Sequence, residues 1–383
     1  MGIRVLLTIP TLSQISGGPA AVVQGLSEHL ALLGASVSVL TYMTDPGQSE
    51  VLLRDDLVKV IHTSRSGFAG GFSNCLNKLL ATRTIDVVHD FGLWMPANHA
   101  VTSVCYKSRI PLVSSPSGML AGWALRHKAW KKRIAWWLYQ RRDLVRATML
   151  AATSSQELLD IRAKFPSKSI ALIPNGVEIS VLEANALTEV NNRVRKVVFL
   201  GRIHPVKGLK NLIEAWKIVR PNGWRCILAG PDEAGHQAEL RSLLQYCALE
   251  DKFEFAGLVE GESKWDLLRS ADIFALPSFT ENFGISVAEA LASVTPVITT
   301  KGTPWGELLE QRCGWWVDLG VEPLANALRE AISLSDKQRH EMGLRGRKLV
   351  EQNYSWDIVG RKMLDAYSWV LGRGPKPACI DPR

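Results

Sequence analysis

Short β-branched or leucine-rich runs alternate with longer stretches of helical periodicity along nearly the whole chain. Residues 5–9 lead into a helical pattern over 19–33 that Gly34 closes, and 36–41 is the next strand-like run. Residues 87–89, 112–114 and 170–173 continue the series. The pattern then restarts, with 196–200, 226–229, 253–255, 273–276 and 297–299 separated by helix-like segments. Such alternation predicts an α/β fold of parallel sheets covered by helices on both faces. The restart predicts two doubly wound, Rossmann-like domains, with the carboxyl ends of both sheets around a central cleft where ligands bind. The polar, weakly patterned stretch 183–195 is the expected linker, giving domains over 1–185 and 186–355. Residues 335–371 read as mostly helical, and 373–383, rich in proline, as a frayed tail.

Length and composition agree with this division. At 383 residues the chain is too long for one ordinary core. No run reaches 18 consecutive apolar residues, so no helical membrane span is expected. The opening before Pro10 is too short for a secretory leader and reads as a first strand, which predicts a cytoplasmic protein. The six scattered cysteines form no CxxC pair and read as reduced structural thiols. A net charge of +8 suits an anionic ligand or surface, whether nucleotide, nucleic acid or acidic lipid. No RNA or DNA motif is present, so nucleic acid is not an expected partner.

The densest chemistry lies in 278–292, where Ser278, Glu281, Asn282, Phe283, Gly284, Ile285 and Glu289 follow a buried strand and a Pro277 stop. A helix starts near Gly284. With no side chain there, backbone N–H groups at the helix start can approach a ligand closely. Those donors and the helix dipole favour an anion. Glu281 falls on the loop and Glu289 on the first turns, where ionised acids suit sugar or ribose hydroxyls. Out of context the two are equally solvated surface acids. A second stretch, 200–208, follows the restart strand and sets Arg202 and Lys207 at one sheet edge. Alone, such a pair is also an ordinary solvated surface.

The Glu-x7-Glu pair with its intervening Phe-Gly resembles the signature of glycosyltransferase family 4, the large retaining family with the GT-B fold. The resemblance spans most of the chain and is densest over 197–292. It implies that Glu281 holds the donor sugar's hydroxyls near the reacting carbon, helped by the N–H groups of Asn282, Phe283 and Gly284. Ile285 N–H would meet the diphosphate and Glu289 the ribose. Arg202 and Lys207 would stabilise charge building on the departing nucleoside diphosphate. Residues 257–259 resemble the family loop that contacts the nucleobase, through the backbone of Leu258 and Val259. The resemblance also implies a final helix, 356–372, crossing back onto the first domain.

The first half carries the acceptor side of the resemblance. Gly17-Gly18-Pro19 is similar to the family's glycine loop, making Gly18 a donor-phosphate candidate; a plain tight turn is the alternative. Residues 86–94 resemble a Val-His-x-His-Gly-Leu-Trp stretch but depart from it at Asp90-Phe91. His89 there either orients an acceptor hydroxyl or hydrogen-bonds backbone at the strand end. Residues 114–120 resemble a subgroup of surface-polysaccharide assembly enzymes, with Ser117 in place of an arginine. Residues 123–146 carry eight cations, Arg126, Lys128, Lys131, Lys132, Arg133, Arg141, Arg142 and Arg146, against Asp143 alone, with Trp123, Trp130, Ile134, Trp137 and Leu138 at near-helical spacing. This suits either an anionic membrane surface or a domain helix whose aromatic stripe is core.

Neither half offers an Asp-x-Asp clamp, so no metal is expected, and no cofactor beyond a UDP- or GDP-linked sugar as co-substrate. The resemblance implies a hexosyltransferase that retains anomeric configuration by front-face attack. Its acceptor would be a glycan or lipid-linked glycan, in polysaccharide biosynthesis at the inner face of the cell membrane. Alternatives are a nucleotide-sugar hydrolase or epimerase of the same fold, or a non-catalytic nucleotide-sugar-binding protein.

Overall fold

The computed structural model describes residues 2–13, 18–45, 49–65, 70–126, 128–179, 194–233 and 235–380. It divides into two compact units, Met1–Gly176 with Trp356–Arg383, and Val177–Ser355.

The first unit is a seven-stranded sheet: β1 (Arg4–Thr8), β2 (Ser36–Tyr42), β3 (Val58–Thr63), β4 (Val87–Phe91), β5 (Leu112–Ser115), β6 (Met149–Ala152) and β7 (Ile170–Leu172). Every pairing is parallel, in the order β3-β2-β1-β4-β5-β6-β7. Side chains of a strand alternate between faces, so Val5 and Leu7 of β1 enter one apolar cluster and Leu6 another. Both faces are therefore covered, as a parallel sheet requires. Helices Gly18–Leu32 and Trp356–Val370 supply one layer, and Gly70–Ala81 and Pro96–Ser108 the other.

The second unit repeats the plan with six parallel strands: β8 (Arg195–Leu200), β9 (Trp224–Ala229), β10 (Phe253–Gly257), β11 (Ile273–Leu276), β12 (Val297–Thr300) and β13 (Gly314–Val317). Their order is β10-β9-β8-β11-β12-β13. Strand order reverses between β1 and β4 and between β8 and β11, the switch points where doubly wound sheets bind ligands.

Helix Trp356–Val370 belongs to the first unit through a specific fit. A Cβ on either Gly25 or Gly176 would stand 2.2 Å from the Trp356 indole, so the two glycines form the slot that holds the ring. The chain passes between units at Gly176/Val177, nine residues before the boundary expected at 185/186. Val177 N already donates to Tyr354 O at 2.8 Å. Most of the expected linker, 183–193, lies outside the described residues, and Arg195 opens β8.

The frayed tail is a correction. Leu172 N donates to Cys379 O at 2.7 Å, Ala171 bridges Ile380, and Ile380 is buried. The exposed edge of β7 offers unpaired backbone groups, and pairing them while burying Ile380 outweighs the local composition.

Candidate active site

The loops after β8, β11 and β12 build one cluster at the second unit's switch point. After β8 the chain turns through Pro205–Lys207, whose start His204 caps by accepting from Val206 N at 3.1 Å. Gly208 then takes φ +67°, and a Cβ there would stand 2.1 Å from Pro277 O, so only glycine lets the β8 and β11 loops run this close. Phe279 N donates to Val206 O at 2.8 Å, stitching the same two loops. The β12 loop joins through Glu281 N, which donates to Gly302 O at 2.8 Å, and Thr300 Oγ1, which donates to Ser278 O at 2.5 Å.

This stitching brings Lys207 and Glu281 together. Lys207 Nζ lies 2.5 Å from Glu281 Oε1, and Ser278 Oγ donates to the same oxygen at 2.7 Å. The Lys207 and Glu281 side chains are each only 14% exposed, so their charges act with limited screening by water. Gly284 adopts φ +81° at the start of helix Ile285–Ala292, a left-handed turn that aims the first-turn amides outward from the helix end. The turn is propped from within the unit. Trp305 Nε1 donates to Phe283 O at 2.6 Å, and the rings of Phe283, Trp305 and Tyr354 pack with centroids 5.2–5.6 Å apart. The Tyr354 hydroxyl is in turn bonded to the Glu307 carboxylate.

Glu289 sits one turn into the helix and pairs with Lys264 Nζ at 2.7 Å, from helix Gly261–Arg269. Leu258 and Val259 follow β10 and a left-handed Gly257, with Leu258 exposed. Arg202 is not drawn into the Lys207–Glu281 pair. Its Nη1 lies 2.6 Å from Glu233 Oε2 in a half-exposed ion pair that solvent and a competing anion can readily exchange. Asn282 and Ile285, both partly buried, flank Phe283 and Gly284 on the same loop.

The family described as glycosyl transferases group 1 matches residues 183–349, and the glycosyl transferase 4-like domain matches 17–176. The chain belongs to glycosyltransferase family 4. This glycosyltransferase is 26% identical to D-inositol 3-phosphate glycosyltransferase of Xylanimonas cellulosilytica, covering 94% of this chain and 93% of that protein. It is 25% identical to the GDP-mannose:cellobiosyl-diphosphopolyprenol alpha-mannosyltransferase of Komagataeibacter xylinus, covering 89% and 86%. Sucrose-phosphate synthase from Thermosynechococcus elongatus superposes with a TM-score of 0.79 at 20% identity, over 97% of this chain and 99% of that one. Anabaena HepE in complex with UDP and glucose does so with 0.78 at 18%, over 96% and 100%. At such identities the two structures share its GT-B fold.

In the first unit of the glycosyltransferase, Gly18 opens helix Gly18–Leu32, while Gly17 lies outside the described residues. His89 requires a correction. It is 0% exposed, its Nδ1 is 2.6 Å from the Tyr367 hydroxyl, and its Nε2 is 2.7 Å from Ser115 Oγ. Burial pushes its pKa down to about 3, so the ring is neutral. Both ring nitrogens are taken by side chains rather than backbone and no surface is left for an acceptor hydroxyl, because helix Trp356–Val370 covers the central strand that carries it. It ties β4 and β5 to that helix instead.

Beside it, Asp90 accepts from Thr8 Oγ1 at 2.6 Å and Asn98 Nδ2 at 2.9 Å, and burial pushes its carboxyl up to about 7. Between its ordinary value of 3.8 and 7, the native state holds a proton that the unfolded chain has lost. Its contribution to stability therefore falls as pH rises through that window. His89 acts oppositely: its contribution, present above 6.5, is lost as pH falls towards 3. Asp90→Asn removes only the falling limb. The variant's melting temperature relative to the parent should be more favourable at pH 8 than at pH 5, and an equal offset at both would assign the proton elsewhere.

Residues 123–146 form helices Gly122–Arg126, Ala129–Ala135 and Arg141–Arg146 around a π-helical turn, Trp136–Gln140. The core-stripe alternative does not hold. Trp123, Trp130, Ile134, Trp137 and Leu138 are 47%, 65%, 52%, 82% and 67% exposed.

Proposed function

We propose that this glycosyltransferase moves a hexose from a UDP- or GDP-linked donor to a hydroxyl of a glycan or lipid-linked glycan, retaining anomeric configuration and using no metal. The observation that carries the reading is the Lys207–Glu281–Ser278 cluster beside the left-handed Gly284 turn. The bond from the anomeric carbon to the diphosphate oxygen breaks as Lys207, joined by an Arg202 released from Glu233, meets the charge developing on that oxygen. The acceptor oxygen bonds to the same face of the carbon, and its proton passes to the departing phosphate. Glu281 holds sugar hydroxyls, the N–H groups of Asn282, Phe283, Gly284 and Ile285 take hydroxyls and diphosphate, and Glu289 takes the ribose. Leu258 and Val259 offer backbone to the base.

The HepE complex with UDP and glucose supports a nucleotide-sugar donor. The mannosyltransferase named for a cellobiosyl-diphosphopolyprenol acceptor supports a lipid-linked one, and the resemblance of residues 114–120 to surface-polysaccharide assembly enzymes supports a role in polysaccharide biosynthesis. Among the described residues no helix is long and apolar enough to cross a membrane. Exposed tryptophans among cations over 123–146 support peripheral attachment to the anionic inner face of the cell membrane.

The test is calorimetric binding of UDP, GDP and ADP, each with its matching sugar, first in EDTA and then with magnesium. Metal-independent binding of one nucleotide, weakened at least tenfold in Glu289→Ala, is the expected result. Failure of all three to bind would sink the reading.

A further inference from the structure

The first unit holds a pocket of about 300 Å³ that the donor site does not use. Trp94, Trp136 and Trp137 wall it, and Lys132, Arg133 and Lys164 add three cations. The volume is at the lower end of those that hold small ligands.

Its framework is held in a costly conformation. Trp94 has φ +73°, in the left-handed region that a bulky residue rarely adopts. Its backbone is fastened at both ends by the π-helical turn: Trp94 N donates to Gln140 Oε1, and the Tyr139 hydroxyl donates to Trp94 O, each at 2.8 Å. A π turn inside a helix is uncommon and concentrates at functional positions. The Trp94 and Trp136 rings stand 6.3 Å apart, and Lys132 Nζ lies 5.8 Å above the Trp94 ring. Trp94 Nε1 is buried with no hydrogen-bond partner, a donor left over by the protein itself.

The neighbouring stretch 126–142 presents one sign of charge at its surface. Arg126, Lys128, Lys131, Arg141 and Arg142 are exposed, while the acid that follows, Asp143, is buried against His99 at 2.8 Å. An indole-walled pocket with a cationic margin matches a ligand that is apolar at one end and anionic at the other.

We propose that this pocket binds the phosphate-proximal part of the aliphatic chain of a lipid phosphate or diphosphate. Lys132, Arg133 and Lys164 meet its phosphate groups. The inference rests on the lipid-linked acceptor proposed above and names the side chains that select it. Seating the chain beside the phosphate would hold the acceptor by its lipid end, independently of the glycan it carries.

The test is binding of octyl, decyl and dodecyl phosphate to the full chain below their micellar concentrations, followed by tryptophan fluorescence and calorimetry. Each methylene that enters the pocket should tighten binding about fourfold until the pocket is filled. Trp137→Ala combined with Lys164→Glu should weaken dodecyl phosphate at least tenfold, with the melting temperature within a few degrees of the parent. Inorganic phosphate binding as well as dodecyl phosphate would overturn the proposal. So would binding to phosphatidylglycerol vesicles with none to the soluble alkyl phosphates, which would mark a bilayer surface. UDP, GDP and ADP measured on the same protein separate the two failures. Alkyl phosphate bound without any nucleotide would keep the pocket and remove the transferase reading of the donor loops, and the converse would do the reverse.

Discussion

Lys207→Ala should lower kcat by about 10²–10³ while leaving nucleotide affinity within a few fold. The expectation follows from where charge appears. In the ground state the diphosphate is already anionic, but breaking its bond to the sugar places further charge on the bridging oxygen. A cation fixed near that oxygen stabilises the transition state more than the bound donor, which raises kcat rather than lowering KM. Lys207 is fixed by its 2.5 Å contact with Glu281 and by the Gly208 turn behind it. Arg202, half exposed and paired with Glu233, is held less firmly, so Arg202→Ala should cost about tenfold. Steady-state kinetics with calorimetric donor binding separates the two effects. An unchanged kcat with a raised KM would make Lys207 an ordinary binding residue.

Gly208→Ala should remove both activity and stability. Alanine at φ +67° carries a left-handed penalty of about 1–2 kcal/mol before any contact is considered. Its methyl would also stand 2.1 Å from Pro277 O, a backbone atom with no rotamer by which to move away. Relief requires the β8 and β11 loops to separate, which parts Lys207 from Glu281. A total above ~3 kcal/mol, or ~6–12 °C in melting temperature, is expected. Gly223→Ala is the control. Its φ of +74° imposes the same backbone penalty, but nothing lies within 4 Å of the new methyl, so its loss should stay near ~1–2 kcal/mol with activity retained. Equal melting temperatures for the two variants would show that the Pro277 contact relaxes freely.

The loops of the candidate site are the most legible part of the sequence because the chemistry proposed for them leaves local marks. A buried run such as Ile273–Leu276, stopped by Pro277 and followed by acids around a glycine, is contained within twenty residues. The strands β3, β6 and β13 left weaker marks. Val58–Thr63 is an edge strand interrupted by Lys59 and His62, Met149–Ala152 has no β-branched residue, and Gly314–Val317 begins with glycine. The supports of the site are hidden because they are distant in sequence. Trp305 reaches Phe283 across 22 residues, and Lys264 reaches Glu289 across 25. His89 is the extreme case: its partner Tyr367 stands 278 residues away, so the residue looks solitary in its own stretch. Over 123–146 the aromatic spacing was visible, but periodicity does not say which face a neighbour covers, and only the exposures decide that.

Building the first unit from two separated segments sets an order of events at the ribosome. Residues up to Gly176 leave the exit tunnel without the helix that helps cover one face of their sheet. Translating Val177–Ser355 then takes about 10–40 s before Trp356 is added. Throughout that interval the slot over Gly25 and Gly176 holds no indole, and His89 is without the Tyr367 hydroxyl. The second unit, one uninterrupted segment, meets no such delay. Of these two units the one begun earlier is therefore finished later, and a message cut short before Trp356 yields a complete second unit attached to an unfinished first one.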